Sequence, residues 1–382
     1  MNWKIYRTRS DLESFTSIIT VAKDNKIYFT PGPSELYPTV ATHLAEALDR
    51  KILTISHRSK AFQEIYAQAE QGLRQLLGLP DNYQILFLSS ATEIWERILQ
   101  NCVTSTSFHA VNGSFSKRFY EFSGELGLTG IKAEVPFGES FTANSLTIPA
   151  EVEAICLTHN ETSSGASMPV SEINKVRAKH KNALIFVDAV SSLPFPEFDY
   201  SKIDSVFFSV QKCFGLPAGL GVWILNERCI EKAKAVAAKH STGTYHTVDS
   251  MLSKAIVNQT PETPNVLNIF LLSKVVEDMN KIGAKVLRES TERKAKLIYD
   301  YLETSSNFEI FVQDETQRSK TTIVANTKLS PSEVNKTLAP FDMAVGSGYG
   351  NYKEKQIRIA NFPAHSEVHV EKLVSTLKTQ IG

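Results

Sequence analysis

Short apolar runs alternate with longer amphipathic stretches along most of this chain, a pattern typical of α/β proteins. Residues 59–78 predict a helix, because apolar side chains recur there at helical spacing and Gly78 and Pro80 end the pattern. Helices are also predicted from Thr92 to about Cys102 and from about Ser114 onward. Six short runs, each apolar and rich in β-branched or aromatic residues, predict strands covered on both faces. These runs are 84–90, 108–112, 153–160, 183–189, 204–210 and 221–226.

The pattern changes after the proline-rich segment TPETP at 260–264. A long helical stretch follows over about 265–301, with a break near Gly283. Two helices are predicted to begin at Ser330 and Ser366, and strands are predicted at 308–312, 321–326 and 356–361. This succession predicts a second, smaller α+β domain that begins near residue 260.

Composition and charge narrow the class of protein. The 382 residues carry 41 basic and 41 acidic side chains, whereas a chain that coats nucleic acid or an anionic membrane needs a surplus of Lys and Arg. The four cysteines (102, 156, 213 and 229) are scattered without a C-x-x-C pair, which argues against a disulfide scaffold or a zinc module. No signal peptide and no bilayer-spanning apolar run is visible in the sequence. We therefore expect a cytoplasmic enzyme of about two domains that binds neither nucleic acid, membrane nor metal.

The most informative segment is SVQKCFGLPAGLGV at 209–222. Lys212 directly follows a predicted buried strand and precedes Cys213 and Phe214, so its amine is expected in a poorly solvated place. Burial disfavours the ammonium form and lowers the pKa, as a Schiff-base lysine requires. A solvated loop lysine is the alternative, and the apolar, glycine-rich flanks leave the two interpretations about even.

Asp188 ends the predicted strand ALIFVDA at 183–189. An acid at the carboxyl end of a buried strand faces the crevice in which α/β proteins bind ligands. There it can keep a pyridine nitrogen protonated, which makes the ring an electron sink. Asp188 alone could equally be a helix N-cap. Because a single predicted strand separates it from Lys212, the two residues together predict a pyridoxal phosphate site.

Three further segments have side chains suited to such a site. Residues 89–93 (SSATE) join a predicted strand to a helix, where backbone N–H groups and the helix dipole favour a phosphate, although a plain helix cap is the alternative. Phe115 follows another strand end and is suited either to stack on a flat ring or to pack in the core. Thr162 is suited to hydrogen-bond a ring hydroxyl or to form part of a turn.

Seven motifs of the chain occur in the same order in a known family: TPGP (30–33), SHR (56–58), HNETSSG (159–165), DAVSS (188–192), QKCFGLPAGLG (211–221), TPETP (260–264) and IRIANFP (357–363). The chain thereby resembles the class V aminotransferases, which are pyridoxal phosphate enzymes of the aspartate-aminotransferase fold. The resemblance runs from about residue 28 to the C-terminus. Within the class, the chain is most similar to the phosphoserine aminotransferases. It implies an α/β large domain with a central, mostly parallel sheet and a smaller α+β C-terminal domain. The implied division is an N-terminal arm (1–29) that packs with the small domain, a cofactor-binding domain (30–260) and a small domain (261–382).

The resemblance also implies a role for each cofactor-binding residue. Lys212 would form the Schiff base and carry the proton, and Asp188 would pair with the pyridine nitrogen. Phe115 would stack on the ring and Thr162 would contact the ring oxygen. The residues implied for the cofactor phosphate are Gln211 and the turn Ala91, Thr92 and Glu93.

Substrate binding and a homodimer with shared active sites follow from the same resemblance. Gln259 and Thr260 would complete the phosphate site across the dimer interface. His57 and Arg58 would reach over to the phosphate end of the substrate in the other subunit. Arg358 would grip the substrate α-carboxylate, because a guanidinium fork matches a carboxylate.

Two features depart from the phosphoserine aminotransferase pattern. Those enzymes often carry a glycine-rich turn with an arginine where this chain has Glu93, and an acid there would repel a dianion if it faced the substrate. An extra residue near Gln259 shifts the interfacial assignment by up to one position. Both departures bear on the substrate more than on the reaction type.

We therefore expect a transaminase that acts on phosphoserine and 2-oxoglutarate in serine biosynthesis. An alanine–glyoxylate or serine–pyruvate type aminotransferase is the main alternative. A cysteine desulfurase would need a mobile nucleophilic cysteine, and Cys213 lies too close to Lys212 for that. A non-catalytic regulatory protein conflicts with the presence of Lys212, Asp188 and Arg358 together. A nicotinamide oxidoreductase is disfavoured because no G-x-G-x-x-G motif follows an early strand.

Overall fold

The computed structural model describes residues 26–382, which form a seven-stranded sheet, a five-stranded sheet and a two-stranded ribbon with helices around them. The predicted N-terminal arm, 1–29, lies outside the described residues except for its last four. The strands are β1 (Ile27–Phe29), β2 (Tyr83–Leu88), β3 (Thr106–Val111), β4 (Thr129–Glu134), β5 (Ala154–Thr158), β6 (Asn160–Glu161), β7 (Ala166–Ser167), β8 (Leu184–Asp188), β9 (Ser205–Ser209), β10 (Gly221–Asn226), β11 (Phe308–Ile310), β12 (Thr322–Thr327), β13 (Met343–Ser347) and β14 (Gln356–Ala360). The helices are α1 (Val40–Asp49), α2 (Lys60–Leu77), α3 (Ala91–Cys102), α4 (Ser114–Glu125), α5 (Val170–Lys179), α6 (Glu227–Ala237), α7 (Val248–Ala255), α8 (Val266–Ile282), α9 (Ala284–Thr304), α10 (Pro331–Leu338) and α11 (Glu367–Gln380).

The seven-stranded sheet has the order β2-β10-β9-β8-β5-β3-β4. Its strands run parallel except β10, which is antiparallel to both of its neighbours. Strands β5, β8, β9 and β10 are buried along their whole length, as the near-continuous apolar runs of the sequence require for a sheet covered on both faces. This sheet confirms the predicted α/β fold with a central, mostly parallel sheet.

Helices cover both faces of that sheet. On one face α2 begins at the N-cap Ser59, ends at Gly78 with a left-handed φ of 65°, and buries its predicted apolar stripe. Helix α8 packs against α2 in the same core, through residues such as Phe270 and Val276. The other face is covered by α3, α6 and α7, with Trp95 and Met251 in its core. The sheet is thus held between two apolar layers that keep the ends of its strands in place.

The five-stranded sheet has the order β1-β13-β14-β12-β11 and builds a separate core with α9, α10 and α11. Strand β1 pairs in parallel with β13, so residues 27–29 are part of this sheet. The chain passes from the first core to this one at Gly283, between α8 and α9. The predicted boundary near residue 260 precedes α8, and the division into two domains stays a prediction. No helix within residues 26–382 has the length and apolarity to cross a membrane.

Candidate active site

A cavity of about 340 Å³ lies where three central strands end beside the N-terminus of α3. Thr158, Asp188 and Ser209, the last residues of β5, β8 and β9, are part of its wall. This edge of an open α/β sheet is where ligands commonly bind, in pockets of about 300–1,000 Å³. The predicted site residues that line the cavity are Ala91, Thr92, Phe115, Thr162, Asp188, Gln211 and Lys212.

A larger cleft of about 700 Å³ opens between the two cores, lined among others by Arg288 and Arg318. Both guanidinium groups already pair with carboxylates, Arg288 with Glu197 at 3.0 Å and Arg318 with Glu303 at 2.9 Å. The smaller cavity holds an amine and an acid whose pKa values are both displaced, which is the more specific sign of chemistry. We therefore take the cavity around Lys212 as the candidate active site.

Lys212 is only 7% exposed, so its amine is buried rather than solvated. Its Nζ donates a hydrogen bond to Thr162 Oγ1 at 2.8 Å and lies 5.0 Å from the centre of the Phe115 ring. Burial lowers the pKa of Lys212 to about 8, although the Asp188 carboxylate acts in the opposite direction. A Cβ on Gly32 would lie 3.0 Å from Lys212 Cε, so a larger residue at position 32 would crowd the lysine side chain.

Asp188 is buried at the end of β8, with both carboxylate oxygens engaged. Its Oδ2 accepts a hydrogen bond from Trp95 Nε1 at 2.9 Å, and its Oδ1 accepts one from the Val190 backbone N–H at 3.0 Å. Burial raises the pKa of Asp188 to about 6 against the effect of these two hydrogen bonds. The carboxylate is therefore oriented by two donors and held where proton affinity is high.

Phe115 is held in the first turn of α4 by a buried carboxylate. Glu161 is fully buried and accepts hydrogen bonds from the Ser116 N–H at 2.9 Å and from Ser163 Oγ at 2.6 Å. Because Glu161 directly precedes Thr162, one acid supports both the aromatic ring and the hydroxyl that face Lys212. The Tyr349 ring also packs beside Phe115, with the two ring centres 5.3 Å apart and the rings tilted by 47°.

The N-terminus of α3 is arranged to receive an anion. Ser90 is the N-cap and its Oγ accepts the Glu93 N–H at 3.1 Å, while the Ala91 N–H is bound by Ser209 Oγ at 2.7 Å. Ser90, Ala91 and Thr92 line the cavity. With the Ala91 and Glu93 N–H groups bound in this way, the Thr92 N–H and the helix dipole favour a bound phosphate or carboxylate at this point.

The Glu93 side chain does not line the cavity. Its Oε2 accepts hydrogen bonds from the Ser89 N–H at 2.9 Å and the Ser89 Oγ at 2.6 Å, and its Oε1 contacts His246 Nδ1. Burial would raise the pKa of Glu93, but the hydrogen bonds from His246 and Ser89 outweigh it and lower the pKa to about 2. The carboxylate is thus ionised and turned away from the cavity.

Arg358 extends from β14 toward the site. Its Nε donates to the Ser347 carbonyl at 2.7 Å and its Nη1 to the Thr162 carbonyl at 3.2 Å. Its guanidinium also lies 5.3 Å from the centre of the Tyr349 ring. Burial lowers the pKa of Arg358 from its ordinary value. The arginine is therefore anchored beside the residue that holds the Lys212 amine.

Six predicted residues do not line this cavity: Glu93 and Arg358, described above, and also His57, Arg58, Gln259 and Thr260. Three of them meet elsewhere in the same chain, because Arg58 donates to Gln259 Oε1 and to the Thr260 carbonyl, both at 2.8 Å. Arg58 also donates to the Pro261 carbonyl at 3.0 Å. Their contribution to a neighbouring subunit stays a prediction.

Sequence reasoning missed four residues that support the cavity: Gly32, Trp95, Glu161 and Ser209. Glu161 lies in the motif at 159–165 and Ser209 in the segment 209–222, and the available signal for both is a polar residue in or beside a predicted buried strand. Trp95 lies 93 positions before Asp188, and nothing in the local sequence indicates that contact.

Comparisons with known proteins identify relatives of the chain. The family model described as aminotransferase class-V matches residues 140–355. A crystal structure of a phosphoserine aminotransferase from Cytophaga hutchinsonii is 67% identical, covers 94% of this chain and 100% of its own, and superposes with a TM-score of 0.93. The phosphoserine aminotransferase of Rhodococcus opacus is 26% identical over 91% of this chain and 93% of its own length. An alanine–glyoxylate aminotransferase from Nostoc shares the fold, with a TM-score of 0.81 at 20% identity over 94% of this chain and 95% of its own.

Proposed function

The chain belongs to the class V aminotransferases, which are pyridoxal phosphate-dependent enzymes, and we propose that it is a phosphoserine:2-oxoglutarate aminotransferase. It would convert 3-phosphohydroxypyruvate and glutamate into phosphoserine and 2-oxoglutarate, a step of serine biosynthesis. The observation that carries the proposal is the 67% identity with the Cytophaga hutchinsonii phosphoserine aminotransferase over 94% of this chain.

The residues around Lys212 fit pyridoxal phosphate in chemistry and in space. An aldehyde requires an amine that readily loses its proton, and the pKa of Lys212 is lowered to about 8. A pyridine nitrogen requires an acid, which Asp188 provides, and a flat ring requires an apolar face such as that of Phe115. Gly221 allows Ser90 to approach, since a Cβ there would lie 2.5 Å from the Ser90 carbonyl carbon. The phosphate would then meet the first turn of α3.

We assign the cofactor contacts accordingly. Lys212 and Asp188 would hold the aldehyde and the ring nitrogen, Phe115 the ring face and Thr162 the ring oxygen. The Glu93 N–H is donated to Ser90 Oγ, so the cofactor phosphate would be held by Gln211 and by the turn of Ala91 and Thr92, without the Glu93 side chain. This last point follows from the hydrogen bonds that turn the Glu93 carboxylate toward Ser89 and His246.

Bound pyridoxal phosphate supplies an electron-withdrawing ring that stabilises negative charge at the substrate α-carbon. Lys212 Nζ takes the α-proton as a base and returns it as an acid, for which a pKa of about 8 lies close to working pH. Thr162 Oγ1, 2.8 Å from that nitrogen, orients the amine. Asp188, oriented by Trp95 and Val190, holds the proton at the ring nitrogen. Arg358 orients the substrate through its α-carboxylate.

We further propose a cytoplasmic homodimer with shared active sites. Arg58, Gln259 and Thr260 form one hydrogen-bonded cluster outside their own chain's cavity, which suits residues that serve the second subunit. His57 adjoins this cluster, so cationic and neutral donors would approach the substrate's phosphate together. The Glu93 carboxylate is bound by His246 and Ser89 and points away from the cavity. An acid at this position is therefore not expected to repel a phosphorylated substrate.

The substrate assignment predicts a strong preference for phosphorylated amino acids. We expect kcat/KM for phosphoserine to exceed that for serine or alanine by at least about 10²-fold, because a site built to bind a charged group leaves its donors unpaired when that group is missing. The measurement is the steady-state rate with 2-oxoglutarate as acceptor.

Arg58→Gln supplies the internal control for that experiment. It should lower the rate with phosphoserine while changing the rate with serine little. Equal or better rates with serine or alanine would instead favour an alanine–glyoxylate or serine–pyruvate type enzyme. A cysteine-based lyase is disfavoured on separate grounds, since burial raises the pKa of the Cys213 thiol and keeps it protonated.

The lowered pKa of Lys212 predicts how covalent capture of the cofactor depends on pH. The neutral amine is the reactive form, so its fraction rises with pH and levels off once the pH passes the pKa of about 8. We expect the rate at which borohydride fixes pyridoxal phosphate to the apoprotein to level off near this pH. The Asp188 carboxylate raises the pKa of Lys212, so Asp188→Asn should lower that pKa further, and the rate of fixation should level off at a lower pH than in the wild type.

Free Nα-acetyl-lysine is the matched reference, because its unblocked ε-amine has an ordinary pKa of about 10.4. Mass spectrometry of the Lys212 peptide at each pH reports the extent of fixation. A rate on the protein that climbs in parallel with that of N-acetyl-lysine through pH 10 would contradict the lowered pKa.

A further inference from the structure

His246 is buried between two carboxylates, with 3% of its surface exposed. Its Nδ1 contacts Glu93 Oε1, and its Nε2 lies 2.9 Å from Glu262 Oε2. An ionised carboxylate only accepts hydrogen bonds, so both ring nitrogens must carry a proton and the ring is an imidazolium cation. Burial would lower the pKa of His246, but the hydrogen bonds to Glu262 and Glu93 outweigh it and raise the pKa to about 9.

Glu93 occupies a position where a free carboxylate would interfere with an anion. It is the third residue of α3, from which a glutamate ordinarily folds back over the helix N-terminus toward the N-cap N–H. Here the carboxylate binds the N–H and Oγ of Ser89, one residue earlier, and its other oxygen meets His246. Ala91 and Thr92 line the cavity and the Glu93 side chain does not.

We propose that His246 is a positioning residue that, as a cation between Glu93 and Glu262, holds the Glu93 carboxylate off the N-terminus of α3 and keeps that terminus open to the phosphate of pyridoxal phosphate. The inference rests on the proposed function in one respect, the placement of the cofactor phosphate at this turn. Arg97, one turn further along α3, also approaches Glu93 Oε1 with its Nε at 3.9 Å, whereas His246 contacts both carboxylates. Without the imidazolium, Glu93 and Glu262 would face each other and Glu93 would compete for the N–H groups that the phosphate needs.

The same cation also fixes the segment that contains Thr260. The Thr260 Oγ1 donates to the Glu262 carbonyl at 2.8 Å, and Arg58 donates to the Thr260 carbonyl at 2.8 Å. His246 thus connects the phosphate turn of its own chain to the cluster that we assign to the second subunit.

Titration of the apoprotein with pyridoxal phosphate, without any substrate, tests the role of His246. His246→Gln keeps a hydrogen-bond donor and removes the charge, and we expect its dissociation constant for pyridoxal phosphate to rise about tenfold, as for the loss of one charge-assisted contact. Glu93→Gln should bind pyridoxal phosphate at least as tightly as the wild type, because a neutral amide does not repel the phosphate. The double variant His246→Gln/Glu93→Gln should recover most of the affinity lost in His246→Gln.

Recovery in the double variant separates positioning from a merely structural role. If the chain of hydrogen bonds only supported the fold, the two losses would add and the double variant would bind more weakly than either single one. His43→Gln is the matched control, since it removes another histidine–carboxylate contact, His43 Nε2 to Asp278 Oδ2 at 2.7 Å, away from the cavity. Its affinity for pyridoxal phosphate should equal that of the wild type.

Wild-type affinity in His246→Gln, or a double variant no tighter than His246→Gln, would overturn the proposal. Failure of the proposed function would show differently. The wild type would then bind pyridoxal phosphate but show no preference for phosphoserine, and the comparison among the variants would still be interpretable.

Discussion

Lys212→Ala is expected to lower kcat/KM for transamination at least about 10³-fold, because one substitution removes both the amine that attaches the cofactor and the group that carries the α-proton. The chain should still fold, since the Lys212 amine donates a hydrogen bond to Thr162 and lies at a cavity wall rather than in a packed layer. Steady-state rates measure the loss. Absorbance after borohydride treatment shows whether the cofactor can still be fixed to the chain.

Lys294 provides a matched control for this variant. It is also buried, and burial lowers its pKa to about 8 as well. Its Nζ, however, donates to the carbonyls of Phe362 and His365 at 3.0 and 2.6 Å and is not part of the cavity. Lys294→Met should therefore lower thermal stability and leave borohydride fixation intact. Undiminished transamination in Lys212→Ala would refute the mechanism.

Most strands of the central sheet were predictable because a strand buried on both faces is a short, nearly continuous apolar run in the sequence. Residues 221–226 form β10 with the predicted bounds, and the predicted strand 183–189 corresponds to β8, Leu184–Asp188. Strand β4 was not predicted, because it is an edge strand whose sequence TGIKAE is half polar and largely accessible. Helix α1 and helices α5 to α7 were also missed, since their short amphipathic patterns rely on tertiary packing rather than on a long apolar stripe.

That Lys212 and Asp188 line the same cavity was predictable from the topology of the sheet. Strands β8 and β9 are parallel neighbours, so the residues that end them face the same crevice. The orientation of each group was not predictable, because it depends on residues far along the chain. Trp95 orients Asp188 from α3, and Thr162 orients Lys212 from the turn after β6.

Glu93 illustrates the same limit for substrate recognition. Its sequence position predicts an acid near the phosphate turn, and hence repulsion of a phosphorylated substrate. The direction of its side chain is determined by His246, 153 residues later, and by Ser89. A residue type at a motif position therefore indicates which group is present, while the tertiary contacts decide which way it points.

Asp188→Asn is expected to lower kcat by about 10²–10³-fold, the usual cost of removing one preorganised electrostatic partner of a reacting group. An amide is a neutral acceptor and does not stabilise a proton at the ring nitrogen as a carboxylate does. The amide oxygen can still accept from one of the two donors, Trp95 Nε1 or the Val190 N–H, so the site should keep its shape. Covalent capture of the cofactor by Lys212 should persist, because that step does not require the ring to accept electrons.

The distinguishing result for Asp188→Asn is thus slow turnover with the cofactor still fixed by borohydride at Lys212. Asp204 is the matched control, a buried carboxylate before β9 that pairs with Arg228 at 2.8 Å and with Arg177. Asp204→Asn should lower the melting temperature, because it removes the ion pair of the largely buried Arg177 as well as that of Arg228, and should leave kcat of the folded enzyme near the wild-type value. Were Asp188→Asn to retain full kcat, or Asp204→Asn to lose kcat equally, the carboxylate of Asp188 would have a structural role and the electron-sink assignment would fail.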